Sequence, residues 1–166
     1  MSIAVQATPA PTPKTKNVTK IAVFYAIILV GMAVAQLFTF DEFLKLMTSF
    51  TLLGDVRLAH FIAAILVVAE VFALPFLLRM SLSPAFRWLS MVSSWAVAAI
   101  WLYITTQLLI QHTPINNVGF LGTAIDLLPG WWSIFISVAF GILAAWSSWG
   151  MWPYIRRSKR VSVDLK

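Results

Sequence analysis

Glu70 is the residue whose type and position most need a chemical explanation. It lies between two apolar stretches without Asp, Glu, Lys or Arg, residues 59–69 and 71–78. A charged side chain in the middle of a membrane helix costs about 2.5 kcal/mol or more on insertion scales. Removal from water favours the neutral acid, which can still donate a hydrogen bond. Glu70 is therefore predicted to face the interior of a helix bundle.

Two roles fit such a glutamate. It could handle protons or orient a ligand, or it could hold a neighbouring helix by a hydrogen bond with Ser94, Trp95 or Tyr25. Proton relays use chains of ionisable groups, and Glu70 is the only Asp, Glu, Lys or Arg inside the long apolar segments. The structural role is the favoured one.

A polar pocket at the outer edge of the membrane is the second candidate site. Two histidines at one depth could ligate haem, or they could simply keep their polar tips in water. Together with nearby amides they could also line a pocket for a quinone. The residues considered for this pocket are His60, Gln107, His112, Asn116 and Asn117. Because interfacial placement explains all five, no cofactor is predicted, and quinone or haem binding is the alternative.

Several kinds of site are excluded by composition. The chain has no cysteine, so it cannot form a disulfide or a thiolate metal site, and its two histidines are too few for a His-rich metal site. No phosphate loop, zinc motif, nucleophile triad or dinucleotide fingerprint occurs. No catalytic residue is predicted, which favours a role other than that of an enzyme.

The elements that position these residues are membrane helices. Of 166 residues, 60% are hydrophobic and 11% are charged, which leaves too little polar surface for a soluble domain. Spanning a bilayer takes roughly 20 apolar residues. Four segments reach that length, and they predict an all-α four-helix bundle with spans at about 21–40, 58–78, 88–110 and 130–152.

The basic residues predict the orientation. Of the 12 Lys and Arg residues, ten fall on one side of the predicted spans: Lys14, Lys16, Lys20, Arg79, Arg87, Arg156, Arg157, Lys159, Arg160 and Lys166. Only Lys45 and Arg57 fall on the other side. Cytoplasmic loops carry the excess of Lys and Arg, so both termini are expected in the cytoplasm. The clustering indicates membrane topology and not nucleic-acid binding.

The remaining segments complete the predicted layout. Residues 1–19 are predicted to be a disordered, proline-containing tail, residues 20–155 the transmembrane domain, and residues 156–166 a basic tail. The first span could alternatively be a signal peptide, since Ala33-Val34-Ala35 resembles a cleavage site. Phe40, Phe43, Leu44, Met47 and Phe50 predict a short amphipathic helix on the outer membrane surface. The apolar loop 111–129 is expected to fold back onto the bundle.

Small residues are predicted to mark helix–helix contacts. Lipid gives no hydrophobic drive for association, so the helices must be held by close packing, which small residues allow. The small residues considered are Gly31/Ala35, Ala59/Ala63, Ala69/Ala73, Ser90/Ser94/Ala98, Gly141/Ala145 and Ala144/Ser148.

This layout resembles a known family. The outer segment Asp-Glu-Phe-Leu-Lys-Leu-Met (41–47) and the helix with Glu70 in Ala-Glu-Val-Phe-Ala-Leu-Pro-Phe-Leu-Leu (69–78) resemble DoxX-like membrane proteins. So does the basic turn Leu-Ser-Pro-Ala-Phe-Arg-Trp-Leu-Ser (82–90). The closest branch is the MauE type, named for methylamine utilisation, and the resemblance covers roughly residues 20–152.

The resemblance implies a redox setting but departs from the family at one motif. MauE-type proteins often carry Cys-Gly-Cys-Phe-Gly in the last outer loop, and the matching stretch is Val118, Gly119, Phe120, Leu121 and Gly122. Both glycines match and both cysteine positions do not. This chain therefore lacks the thiols on which the family's implied role, electron transfer or the maturation of a partner's disulfides, would depend.

Three functions are weighed. The first is a non-catalytic supporting subunit of a redox or cell-envelope complex in a prokaryotic plasma membrane, with a membrane protein partner or a second copy of the chain. The second is a quinone- or haem-binding subunit of a membrane oxidoreductase. The third is a small transporter, which would need more polar groups inside the membrane than this sequence has.

Overall fold

Five helices make up almost all of the ordered architecture. The computed structural model describes residues 7–50, 55–111 and 115–152, and the regular secondary structure in these ranges is helical apart from one isolated β-bridge. The helices are α1 (Lys16–Phe38), α2 (Phe40–Ser49), α3 (Val56–Leu77), α4 (Pro84–Gln111) and α5 (Trp131–Met151). The predicted all-α class is confirmed.

Four of these helices are long and apolar enough to cross a membrane: α1, α3, α4 and α5. Each begins or ends within a few residues of a span predicted from the sequence, and the largest difference is that α1 begins at Lys16, five residues earlier. The short helix α2 buries Phe43 and Met47 and exposes Asp41, Glu42 and Lys45. Its placement on the outer membrane surface stays a prediction.

The four long helices pack in a ring. Neighbours around the ring are α1 and α3, α3 and α4, α4 and α5, and α5 and α1, while α2 packs against α3. Most of the small residues predicted at contacts are buried, including Ala63, Ala73 and Ala98. The glycines Gly31 and Gly141 are different, because a side chain at either would meet nothing within 4 Å. Those two positions face away from the bundle and do not mark contacts inside it.

The helices α1 and α5 meet in close contact at Gly150. The Val18 side chain is fully buried against Gly150, where an added Cβ would overlap it. The Gly150 carbonyl also accepts a hydrogen bond from the Lys14 amide at 3.0 Å. A residue without a side chain fits this crossing because the Val18 side chain occupies the space.

Pro75 interrupts the hydrogen-bond ladder of α3, and a serine from α4 repairs it. A proline within a helix lacks an N–H and its ring crowds the carbonyl four residues earlier. Here the Ser90 hydroxyl accepts a hydrogen bond from the Phe76 amide at 2.9 Å and donates one to the Phe72 carbonyl at 2.5 Å. These two backbone groups would bond each other in a regular helix. Ser90 is fully buried and therefore ties α4 to the distorted turn of α3.

We expect Ser90→Ala to lower the free energy of unfolding by about 1–3 kcal/mol, because it leaves two buried backbone groups without this partner. Thermal unfolding in detergent measures the effect. Ser93→Ala is the matched control, since the Ser93 hydroxyl donates only to Leu89 of its own helix. Equal unfolding temperatures for both variants would show that Ser90 does not support the turn at Pro75.

The segment before α1 lies against the turn between α3 and α4. We call residues 8–14 the N-terminal strap. Thr8 and Leu82 exchange two backbone hydrogen bonds of 3.1 and 3.2 Å, and Lys14 lies over the Trp149 ring at 4.5 Å. Arg87 donates to the carbonyls of Thr8 and Pro9. We call this end of the bundle, with the α3–α4 turn and the end of α5, the basic end.

The strap differs from the disordered tail predicted for residues 1–19. Guanidinium donors supply partners for its backbone carbonyls, which composition alone does not reveal, and residues 16–19 belong to α1. Residues 1–6 of the predicted tail, the end of the transmembrane domain at 153–155 and the basic tail 156–166 lie outside the described residues.

Candidate functional site

Glu70 lies at the centre of a polar cluster inside the bundle. Its side chain has no exposed surface. One carboxyl oxygen, Oε1, accepts a hydrogen bond from Gln36 Nε2 of α1 at 3.2 Å and another from Trp101 Nε1 of α4 at 3.4 Å. Gln36 and Trp101 are themselves fully buried. A single oxygen atom therefore joins three of the four long helices.

The expected orientation of Glu70 is confirmed, but the partners expected for it are wrong. The Tyr25 hydroxyl donates to the Ser94 carbonyl at 3.0 Å, and the Trp95 indole donates to Ser148 on α5 at 3.0 Å. Gln36 lies two residues from the end of α1, and its amide reaches Glu70 beneath the loop between α4 and α5.

The loop between α4 and α5, residues 115–130, closes over this cluster, and we call it the outer loop after its predicted side of the membrane. Gln36 Nε2 donates a second hydrogen bond, to the Phe120 carbonyl at 3.0 Å. The Thr123 amide donates to Thr39 at 3.2 Å, and the Thr123 hydroxyl donates to the Glu42 carboxylate at 2.7 Å. The prediction that this loop folds back onto the bundle is confirmed for its described part, residues 115–129.

Asn117 organises the loop from within. Its amide nitrogen donates to the Gly122 carbonyl at 3.0 Å and to Asp126 at 3.1 Å. Its side-chain oxygen accepts from the Gly119 amide at 2.8 Å. Backbone pairing of Val118 with Leu127 closes the same turn. Asn117 is buried and bonded on both sides of its amide, so it does not line an open pocket.

The loop motif matched to the family has a structural explanation in this chain. Gly119 and Gly122 have φ of 91° and 58°, a conformation that residues with side chains rarely adopt. The two positions that carry cysteine in the family, Val118 and Phe120, are both buried in the apolar core. The glycines therefore shape the loop, and Val118 and Phe120 pack it.

Phe120 links the loop to the helices through aromatic contacts. Its ring centroid lies 4.6 Å from that of Trp101, 5.8 Å from that of Phe140 and 6.2 Å from that of Trp132. Ring contacts at these separations add about 0.5–1.5 kcal/mol each beyond buried area. Phe120 thus accepts a hydrogen bond from Gln36 through its carbonyl and packs its ring against Trp101, and both of these residues bond Glu70.

No hydrogen bond joins His60, Gln107 and Asn116, the other described residues considered for the outer pocket, to one another, and their joint site stays a prediction. His60 and Asn116 are exposed and Gln107 is half-buried. His112 lies outside the described residues. A cleft of about 250 Å³ does open between α2, α3 and α4, and its lining is almost wholly apolar: Met47, Phe50, Ile62, Ala99, Ile100, Tyr103 and Ile104.

The cluster retains unused hydrogen-bonding capacity. Within the described chain, Glu70 Oε2 and Gln36 Oε1 are buried and have no hydrogen-bond partner. These two oxygens are both acceptors. A proton on the Glu70 carboxyl would turn one of them into a hydrogen-bond donor. No group of three His, Asp or Glu residues suited to a metal ion occurs in residues 7–50, 55–111 and 115–152. The arrangement can therefore hold helices together and hold a proton.

The sequence matches no protein-family model, and no curated protein or solved structure matches it.

Proposed function

We propose that this chain is a DoxX/MauE-like, multi-pass protein of a prokaryotic plasma membrane that acts as a non-catalytic supporting subunit of a redox or cell-envelope complex. Four helices able to span a bilayer and the one-sided distribution of Lys and Arg support a membrane protein with both termini in the cytoplasm. The order of a first span, a short outer helix and a second span with Glu70 supports the family.

The observation that carries the supporting role is the use made of Glu70. Its bonded oxygen connects α1, α3 and α4, and Gln36 extends the connection to the outer loop. A buried acid that serves catalysis or transport needs access to a substrate or to further ionisable groups. The described contacts of Glu70 are instead an amide and an indole that each belong to a different helix, which is how a structural crosslink is built.

The loop supports the same conclusion. A MauE-type protein that exchanges electrons through thiols needs cysteines at positions 118 and 120. Val118 and Phe120 are buried apolar residues there, and Phe120 packs against three aromatic rings. The outer loop of this chain is thus built for packing, and we assign to it the presentation of a fixed surface to a partner protein.

A quinone-binding subunit is the second candidate, and the cleft between α2, α3 and α4 favours it. Its volume of about 250 Å³ and its apolar lining, to which Tyr103 belongs, suit part of an isoprenoid tail. This candidate uses the cleft and not the buried Glu70 cluster, so the two functions are separable by mutation.

Native mass spectrometry after gentle extraction from the chain's own membrane tests the proposal, combined with crosslinking and a visible absorption spectrum. We expect a stable complex with a membrane protein and no quinone or haem mass. Glu70→Gln should keep the complex and Glu70→Leu should lose it, because only glutamine preserves the acceptor. A quinone that is retained by the unaltered chain and lost on filling the cleft with Ala99→Leu would overturn the supporting role.

A further inference from the structure

Two arginines at the basic end are bonded only to neutral oxygen atoms. Arg87 Nη2 donates to the Thr8 carbonyl at 2.8 Å and to the Pro9 carbonyl at 3.1 Å. Arg79 Nη2 donates to the Pro11 carbonyl at 3.3 Å, and Arg79 Nε is buried without a partner in the described chain. Backbone carbonyls orient a guanidinium but do not neutralise its charge.

The carboxylates of the described residues lie elsewhere. Asp41, Glu42, Asp55 and Asp126 are at the opposite end of the bundle, and Glu70 is inside it. In residues 7–50, 55–111 and 115–152 no acidic side chain therefore faces Arg79 or Arg87. Two fixed positive charges that flank the α3–α4 turn and lack a carboxylate are a ready site for a mobile anion.

The backbone at Arg79 points to the same site. Arg79 has φ of 58° at the end of α3, and it is the only described residue other than glycine with a positive φ. Glycine is the usual residue in that conformation, which strains residues that carry a side chain. The arginine held in this conformation lines the same small crevice as Arg87, together with Pro11 of the strap.

The surroundings identify the source of the anion. Trp88, next to Arg87, is 59% exposed, and Trp149, under Lys14, is 57% exposed. Exposed tryptophans at the end of membrane helices lie at the level of lipid headgroups. We propose that Arg79 and Arg87 form a binding site for the phosphate of an anionic phospholipid headgroup. This inference depends on insertion in a membrane but not on the supporting role proposed above.

The test compares lipid retention by the purified full chain, using native mass spectrometry from equal mixtures of phosphatidylglycerol and phosphatidylcholine. We expect the unaltered chain to retain phosphatidylglycerol preferentially. The double variant Arg79→Gln/Arg87→Gln should bind it about tenfold or more weakly, given the contribution of each basic residue near a membrane surface. The control Lys45→Gln/Arg57→Gln removes the same charge from the opposite end and should leave retention unchanged.

A deletion of residues 2–13 separates a direct role of the arginines from a role of the strap. It removes most of the strap but keeps both guanidiniums, so phosphatidylglycerol retention should persist. Loss of retention equal to that of the double variant would overturn the proposal, as would equal losses in the control. Adducts of inorganic phosphate without any preference for phosphatidylglycerol would show a site for free phosphate and would also overturn it.

Discussion

We expect Glu70→Leu to lower the free energy of unfolding by about 2–5 kcal/mol, and Glu70→Gln to change it by less than about 1 kcal/mol. Leucine removes the acceptor of the Gln36 amide and the Trp101 indole, which are both buried. Glutamine keeps an acceptor oxygen and adds an N–H₂ group that can meet the unused Gln36 Oε1. Thermal unfolding in detergent measures both variants.

The two substitutions together separate the structural role from proton handling. A structural crosslink tolerates Gln because hydrogen bonding is preserved, whereas a proton-handling acid does not because the ionisable group is lost. If Glu70→Gln unfolds as readily as Glu70→Leu, the carboxyl is required for more than its acceptor oxygen. If neither variant is destabilised, the cluster does not hold the helices together.

The second large effect is expected at Gly122, where we expect alanine to lower the free energy of unfolding by about 2–4 kcal/mol. The added Cβ would lie 2.6 Å from Thr39 Oγ1 and 3.1 Å from Gln36 Cα, and the φ of 58° would strain any side chain. Because the second contact is with the α1 backbone, rotation of a side chain cannot relieve it.

Gly141→Ala is the matched control for this prediction. Gly141 is helical and an added Cβ would meet nothing within 4 Å, so the change should be neutral or slightly stabilising. The chain has no cysteine, so Leu121→Cys, at a half-buried loop position, reports loop release through its rate of thiol labelling. Labelling that Gly122→Ala does not accelerate would show that the loop docks without this close contact.

The sequence predicts the helices well because their signal is local. Runs of apolar residues bounded by charges and prolines determine α1, α3, α4 and α5, and the spacing of Phe43 and Met47 anticipates α2. The burial of Glu70 follows from the cost of a charge in lipid alone. None of these inferences requires knowledge of how the helices are arranged around one another.

The partners of Glu70 could not be predicted in the same way. A hydrogen bond between Gln36 and Glu70 depends on the relative depth and rotation of two helices, and neither is written in a local pattern. The loop that covers Gln36 is likewise 84 residues away in the chain, so no local pattern reveals it. The strap was missed for a similar reason, since its partners, Arg79 and Arg87, are about 70 residues further on.

The order of the cluster along the chain has a consequence for biogenesis. A ribosome makes Gln36 before Glu70, and it makes Trp101 and Phe120 only later. When α3 is inserted, the amide on α1 is therefore the one member of the cluster already in the membrane. Pairing of α1 with α3 would shelter the carboxyl from lipid during translation, before α4 exists. The outer loop would then close the cluster as the last piece of it to be synthesised.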